Sequence, residues 1–146
     1  MKILVSACLL GEPCRYDGAS RPSAHIIGLK EKHTLIPVCP EVMGGLPTPR
    51  PASEIQADGS LRNIEGADVT AEYRRGAEAV LAIAREQGAT VAILKEKSPA
   101  CGKGRVYDGS FTGTLREGNG VCAELLLQNG IRVLGETEID AIECLG

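Results

Sequence analysis

Apolar residues fall along the chain in short continuous runs and one long helical stripe, and their order sets the first expectation. Lys2–Ala7, Leu35–Val38, Thr90–Leu94 and Ile131–Leu134 are strand-sized and rich in Ile, Leu and Val, as buried strands are. Between Thr70 and Gln87 the apolar positions instead follow a helical period, with Tyr73, Ala77, Val80, Leu81 and Ala84 on one face. Thr70 is placed as the N-cap of that helix and Gly88 as its terminator. Gly118 to Asn129 reads as a second helix closing at Gly130, and a short helix fits between Ser23 and Lys32. The strand–helix–strand–helix–strand order predicts an α/β fold, a mostly parallel Rossmann-like sheet covered by helices with right-handed crossovers. With no internal repeat and no linker, residues 1–146 are expected to form one compact domain.

The run Leu35-Ile36-Pro37-Val38 stops at Cys39-Pro40-Glu41, and Gly44 and Gly45 follow. It predicts a short buried strand feeding a tight turn, because Pro40 cannot donate to a ladder. Thr48 to Asp68 has no sustained period and many turn residues, so it predicts a long excursion that carries small strands or covers a pocket. Glu12-Pro13-Cys14-Arg15-Tyr16-Asp17-Gly18 is loop chemistry.

Composition narrows the function classes. A chain of 146 residues, 43% hydrophobic and 24% charged, has an ordinary globular balance and needs no disulfides to fold. No run is long enough to span a membrane. The residues before Cys8 are too few for a lipoprotein signal, so a cytoplasmic location is expected. A net charge of −3, with Tyr16, Tyr73, Tyr107 and Phe111 as the only aromatic residues, argues against a large nucleic-acid partner.

Six cysteines are more than packing requires. If Lys2–Ala7, Leu35–Val38 and Thr90–Leu94 lie parallel in one sheet, Cys8, Cys39 and Cys101 all project from loops at its carboxyl edge, where open α/β sheets bind ligands. Two metal chemistries suit such a set. Zinc would need a fourth ligand from Cys14, His25 or His33, and the chain lacks a C-x2-4-C knuckle. An iron–sulfur cluster needs no fixed local spacing, and three ligands on four irons leave one iron open. Two rivals stand beside these: a cysteine-dependent hydrolase or transferase using His25 or His33, and a non-catalytic iron–sulfur or zinc sensor. Cys122 and Cys144 are expected to be bystanders, and Gly118-Asn119-Gly120-Val121-Cys122-Ala123 matches a dinucleotide fingerprint without the buried strand it requires. The helix N-terminus at that point is still able to receive a phosphate.

Three blocks carry a resemblance: Ser6-Ala7-Cys8-Leu9-Leu10-Gly11 with Arg15-Tyr16-Asp17-Gly18, Pro37-Val38-Cys39-Pro40-Glu41 with Gly44-Gly45-Leu46, and Lys95-Glu96-Lys97-Ser98-Pro99-Ala100-Cys101-Gly102. With Tyr107-Asp108-Gly109 and Phe111 they resemble the single-domain TudS-type thiouracil desulfidases over nearly the whole chain. The resemblance implies a non-redox desulfidase with a 4Fe-4S cluster on Cys8, Cys39 and Cys101, and with Glu41 and Ser98 as the catalytic acid and serine. It implies a small-molecule partner, a thiolated uracil as base, nucleoside or nucleotide. Glu41 would activate water for attack at the thiocarbonyl carbon and Ser98 would donate or relay a proton. Read without the resemblance, Glu41 is an ion-paired acid and Ser98 a turn hydroxyl before Pro99. Lys95, Lys97, Lys103 and Arg105 bracket Cys101, and Arg15 and Arg50 lie in the other two loops. Converging loops would make these an electropositive mouth, which favours a nucleotide such as 4-thio-UMP over a free base.

Overall fold

The computed structural model describes residues 1–145, with side chains through Ile142. Among the described residues, four parallel strands form the central sheet, β1 (Lys2–Ser6), β2 (Thr34–Val38), β5 (Val91–Leu94) and β8 (Arg132–Gly135), in the order β2-β1-β5-β8. Ile3 sits opposite Leu35 on one side and Val91 on the other, and Leu94 opposite Gly135. Side chains alternate between two cores. Leu4, Ala92, Leu94 and Val133 meet the helices α3 (Thr70–Gln87) and α4 (Val121–Gln128). Ile3, Val5, Ile93 and Leu134 pack instead on Leu9, Ile26, Ile139 and Ile142. Ile26 belongs to α1 (Ala24–Ile27), which runs on as a 3-10 turn over Gly28–Glu31, so helices cover both faces as the alternation predicts.

Three local expectations change. The strand before Cys39 is not buried: β2 lies at the sheet edge, Thr34 and Pro37 are exposed, and Val38 is its one buried residue. Pro37 marks this, since a residue without an N–H is tolerated on the free side of an edge strand. Thr70 does not cap α3. It is the first helical residue, its N–H donates to the Asp68 carboxylate at 2.9 Å, and its hydroxyl accepts the Leu61 N–H at 2.9 Å. Gly88 does end the helix, at φ +73°. The helix expected from Gly118 begins three residues later, at Val121, because Gly120 lies against the Cys101 segment and the Gly118 N–H donates to the Gly104 carbonyl.

The excursion between Thr48 and Asp68 carries an antiparallel hairpin, β3 (Ser53–Ile55) with β4 (Leu61–Asn63), and a second hairpin pairs β6 (Arg105–Tyr107) with β7 (Leu115–Glu117). Both stand over the carboxyl edge. Among the described residues no helix is long and apolar enough to cross a membrane. The side chain of Cys144, expected to be a bystander, lies outside the described residues.

A short helix, α2 (Pro40–Met43), follows Cys39 and meets α3 backbone to backbone. A Cβ added at Gly76 would stand 1.7 Å from the Pro40 carbonyl oxygen, and one added at Gly44 1.9 Å from the Glu72 carbonyl oxygen. Gly76→Ala tests this contact. Alanine gains about 1 kcal/mol of helix propensity, whereas overlap with backbone costs about 3 kcal/mol or more. A net loss of roughly 2 kcal/mol is expected in denaturant unfolding. An unchanged midpoint would rule out the close approach.

Candidate active site

Because β1, β2 and β5 run parallel and side by side, whatever follows each strand arrives at one edge. Cys8 lies in a 3-10 turn over Ala7–Leu10, Cys39 directly before α2, and Cys101 in the loop after β5. All three line one cavity of about 610 Å³, together with Glu41 and Ser98. That volume suits a small molecule. The five residues singled out in the sequence therefore share one site.

The Cys101 loop is held from inside and outside. The Ser98 hydroxyl accepts the N–H groups of Ala100 and Cys101, each at 3.1 Å, which leaves its own proton free to donate. The first turn of α4 donates the Val121 N–H to the Pro99 carbonyl at 2.9 Å and the Cys122 N–H to the Ala100 carbonyl at 2.9 Å. This corrects the expectation of a phosphate at that helix N-terminus: its amides already grip the cysteine loop. Gly120 allows the grip, since a Cβ there would stand 2.5 Å from the Ala100 carbonyl carbon.

Cys8 and Cys101 are 7% and 5% exposed, and Cys39 is half-buried. Burial pushes the Cys101 thiol well above the ordinary cysteine range. Cys39 is pushed up by a hydrogen bond with Cys14 and then by burial. The bond from Cys14 draws Cys8 down, against the opposing effect of burial. Cys14 is a fourth thiol of the cavity, and its backbone carbonyl lies 3.8 Å from Cys39 Sγ. For Cys14 itself the bond with Cys39 acts downward, but the bond with Cys8 and burial outweigh it and raise the thiol to about 11.

These donors fit an iron–sulfur group. All are soft sulfurs; Cys39 and Cys101 are raised and favour the thiol until a cation supplies the countercharge, whereas Cys8 is already drawn down. Cys8, Cys39 and Cys101 reach the cavity wall from three different segments of the chain. An iron–sulfur cluster, which needs no fixed local spacing of its ligands, would suit thiolates delivered by separate loops. The histidines considered for zinc or for a thiol hydrolase are elsewhere. Neither His25 nor His33 lines the cavity, and His33 Nδ1 lies 3.1 Å from the N-terminal amine.

Glu41 is both an ion-paired acid and a cavity residue. Its Oε2 accepts Arg50 Nε–H at 3.1 Å and the Tyr73 hydroxyl at 2.8 Å. Arg50 also donates to the carbonyls of Cys14 at 3.0 Å and Pro47 at 3.2 Å and to the Thr48 hydroxyl at 3.1 Å. At 8% exposure it is a buried brace between the first two cysteine loops rather than part of a charged mouth.

The other expected cations divide. Lys95 lines the cavity but pairs with Glu136 at 2.6 Å, while Lys103, paired with Glu138 at 3.1 Å, and Arg105 stand away from it. Arg15 and Lys97 remain, joined by Arg21, which the sequence reading passed over. Arg15 Nη1 is buried without a hydrogen-bond partner, its nearest acid being Asp17 at 3.8 Å. Sequence reasoning also missed Tyr73, taken only as core, and Glu54. The buried Glu54 carboxylate accepts the N–H groups of Gly109 at 2.9 Å and Phe111 at 3.2 Å, bringing Phe111 to the cavity wall. Phe111 and Lys97 have φ of 58° and 70°, strained values for side chains of this size, and both line the cavity.

This arrangement has known counterparts. A solved structure of a 4Fe-4S-dependent thiouracil desulfidase, TudS, is similar with a TM-score of 0.93 and 45% identity, covering 99% of this chain and 96% of that one. The protein YbbK of Bacillus subtilis (strain 168), itself uncharacterized, is 42% identical over 149 residues, or 96% of this chain and 99% of the relative. The 2-thiouracil desulfurase family matches residues 3–138. With the fold, the cavity and the match over most of its length in agreement, the chain belongs to the 2-thiouracil desulfurase family.

Proposed function

We propose that this protein is a 4Fe-4S-dependent, non-redox desulfidase acting on a thiolated uracil nucleotide, with 4-thio-UMP as the preferred form. The observation that carries the reading is the meeting of three cysteine loops, Glu41 and Ser98 around one cavity. Cys8, Cys39 and Cys101 hold the cluster. A cluster bound there supplies a soft Lewis acid suited to a thiocarbonyl sulfur. Glu41 takes a proton from water through Oε1, the oxygen that Arg50 and Tyr73 leave free, so that water attacks the thiocarbonyl carbon. Ser98 Oγ–H gives or relays the proton that the ring and the departing sulfur require. The balance is one water consumed, a C=O in place of C=S, and hydrogen sulfide released, with no electrons exchanged.

The nucleotide preference rests on Arg15, Arg21 and Lys97. Arg21 and Lys97 make no ion pair among the described residues, and Arg15 Nη1, with no hydrogen bond and only a long pair to Asp17 at 3.8 Å, suits a phosphate oxygen. The partner is a small molecule, with neither a nucleic-acid nor a membrane surface required. One desulfidase domain over residues 1–146 carries the activity. A cytoplasmic location, where cysteines stay reduced and able to hold a cluster, belongs to the same reading.

Sulfide release from cluster-loaded protein tests this reading with 4-thiouracil, 4-thiouridine and 4-thio-UMP in parallel. The monophosphate is expected to have the lowest KM. Arg15→Gln should raise that KM by roughly 10-fold or more, the worth of a charge-assisted hydrogen bond, and leave the free base unaffected. Equal KM values for all three substrates would remove the nucleotide assignment, and no sulfide from any of them would remove the desulfidase.

A further inference from the structure

We infer that Tyr73 and Arg50 are positioning residues that together hold the Glu41 carboxylate by one oxygen and turn the other towards the substrate. The inference rests on the reading of Glu41 as the group that activates water. Among the described residues, the hydrogen bonds made to the Glu41 side chain all fall on Oε2, 2.8 Å from the Tyr73 hydroxyl and 3.1 Å from Arg50 Nε. The two donors come from different parts of the fold. Arg50 lies on the proline-rich loop after α2 and is anchored there by Pro47, Thr48 and the Cys14 carbonyl. Tyr73 projects from the first turn of α3, and its ring belongs to the main core. A carboxylate held by one donor keeps a rotation about that contact. Two donors from separate elements fix its plane.

The distance between the two elements is itself set by backbone contact. Gly76 admits the Pro40 carbonyl and Gly44 admits the Glu72 carbonyl, so α2 carries Glu41 to a fixed separation from Tyr73 on α3. Tyr73 is 1% exposed. Burial, followed by the charge of Glu41, pushes its hydroxyl far above the usual tyrosine range, so the proton stays in place and Tyr73 acts as a constant donor. It orients Glu41 without exchanging a proton in the reaction. Three cavity residues, from α2, the loop after it and α3, thus form one unit, with Glu41 as the member that faces the reacting atoms.

Tyr73→Phe removes one oxygen and keeps the ring in the core, so the variant is expected to fold and take up iron and sulfide like the parent. Its kcat should fall roughly 10- to 100-fold, the effect of a reacting group displaced by about an ångström, while KM stays within about 2-fold. In a Glu41→Gln background the same change should have no further effect, because the group it orients is gone. The infrared carboxylate stretch identified by its loss in Glu41→Gln should shift in Tyr73→Phe, a readout that needs no turnover. Arg50→Lys keeps a charge but not the fork, and should also lower kcat with KM retained. Full kcat in Tyr73→Phe, an unshifted carboxylate band, or equal losses with and without Glu41 would overturn the inference. If Glu41→Gln itself keeps full activity, the assignment of Glu41 as the base falls instead.

Discussion

Cys101→Ala is expected to leave anaerobically reconstituted protein without its cluster and without measurable sulfide release. The parent should hold about four iron and about four acid-labile sulfide per chain, and Cys8→Ala and Cys39→Ala should lose them in the same way. The reason lies in how the sulfurs are presented. Cys101 is nearly buried and its loop is gripped by Ser98 and by the first turn of α4, so its sulfur is held at a fixed place on the cavity wall. Two controls make the result specific. Cys122 is fully buried in the core between the sheet and α4, and Cys122→Ala should keep its iron. Cys14 shares the cavity, and Cys14→Ser should also keep its iron. Iron that survives in Cys101→Ala, or that disappears in Cys14→Ser, would sink the three-cysteine assignment.

Glu41→Gln is expected to lower the rate of desulfidation by roughly 10²- to 10⁴-fold, the usual contribution of a general base, with iron content unchanged. Glutamine is the informative replacement because its amide oxygen still accepts from Tyr73 and Arg50 at the same place. A stability cost accompanies it. The Arg50 side chain is 3% exposed and Glu41 15% exposed, and removing one partner of a buried pair costs up to about 3–5 kcal/mol. The three remaining acceptors of Arg50, at Pro47, Thr48 and Cys14, should keep the loss below that ceiling. Rates are therefore compared per cluster bound. A parent-like rate per cluster would show that water is activated by another group.

Cys39 and Glu41 illustrate how far local signals carry. An apolar run, a cysteine and a proline place Cys39 at the end of a strand whatever its neighbours are, and α2 duly starts at Pro40. The same signals misjudged the strand itself, because the central or edge position of β2 depends on which strands lie beside it. Gly118 to Gly120 reads equally as a helix start or a loop. The choice falls to the Cys101 segment some twenty residues earlier, whose carbonyls take the amides of α4.

Charge was the least legible property. Lys95, Lys103, Arg105, Arg15, Lys97 and Arg50 look alike in sequence, yet Lys95 and Lys103 find acids in the segment just after β8, Arg105 does not line the cavity, and Arg50 closes on Glu41. The Lys95–Glu136 and Lys103–Glu138 pairs join residues 41 and 35 positions apart, and no local pattern encodes them. Tyr73 falls under the same limit. Its position on the apolar stripe of α3 correctly assigns its ring to the core and says nothing of its hydroxyl, which meets a carboxylate 32 residues earlier in the chain. The sequence by itself determined the alternation of strands and helices, the delivery of Cys8, Cys39 and Cys101 to one sheet edge, and the presence of Glu41 and Ser98 beside them, because periodicity and turn chemistry act over a few residues. Only the tertiary structure decided which cations are left for a substrate, which amides hold the Cys101 loop and which groups aim Glu41, because those outcomes depend on contacts between segments that meet only when the sheet closes.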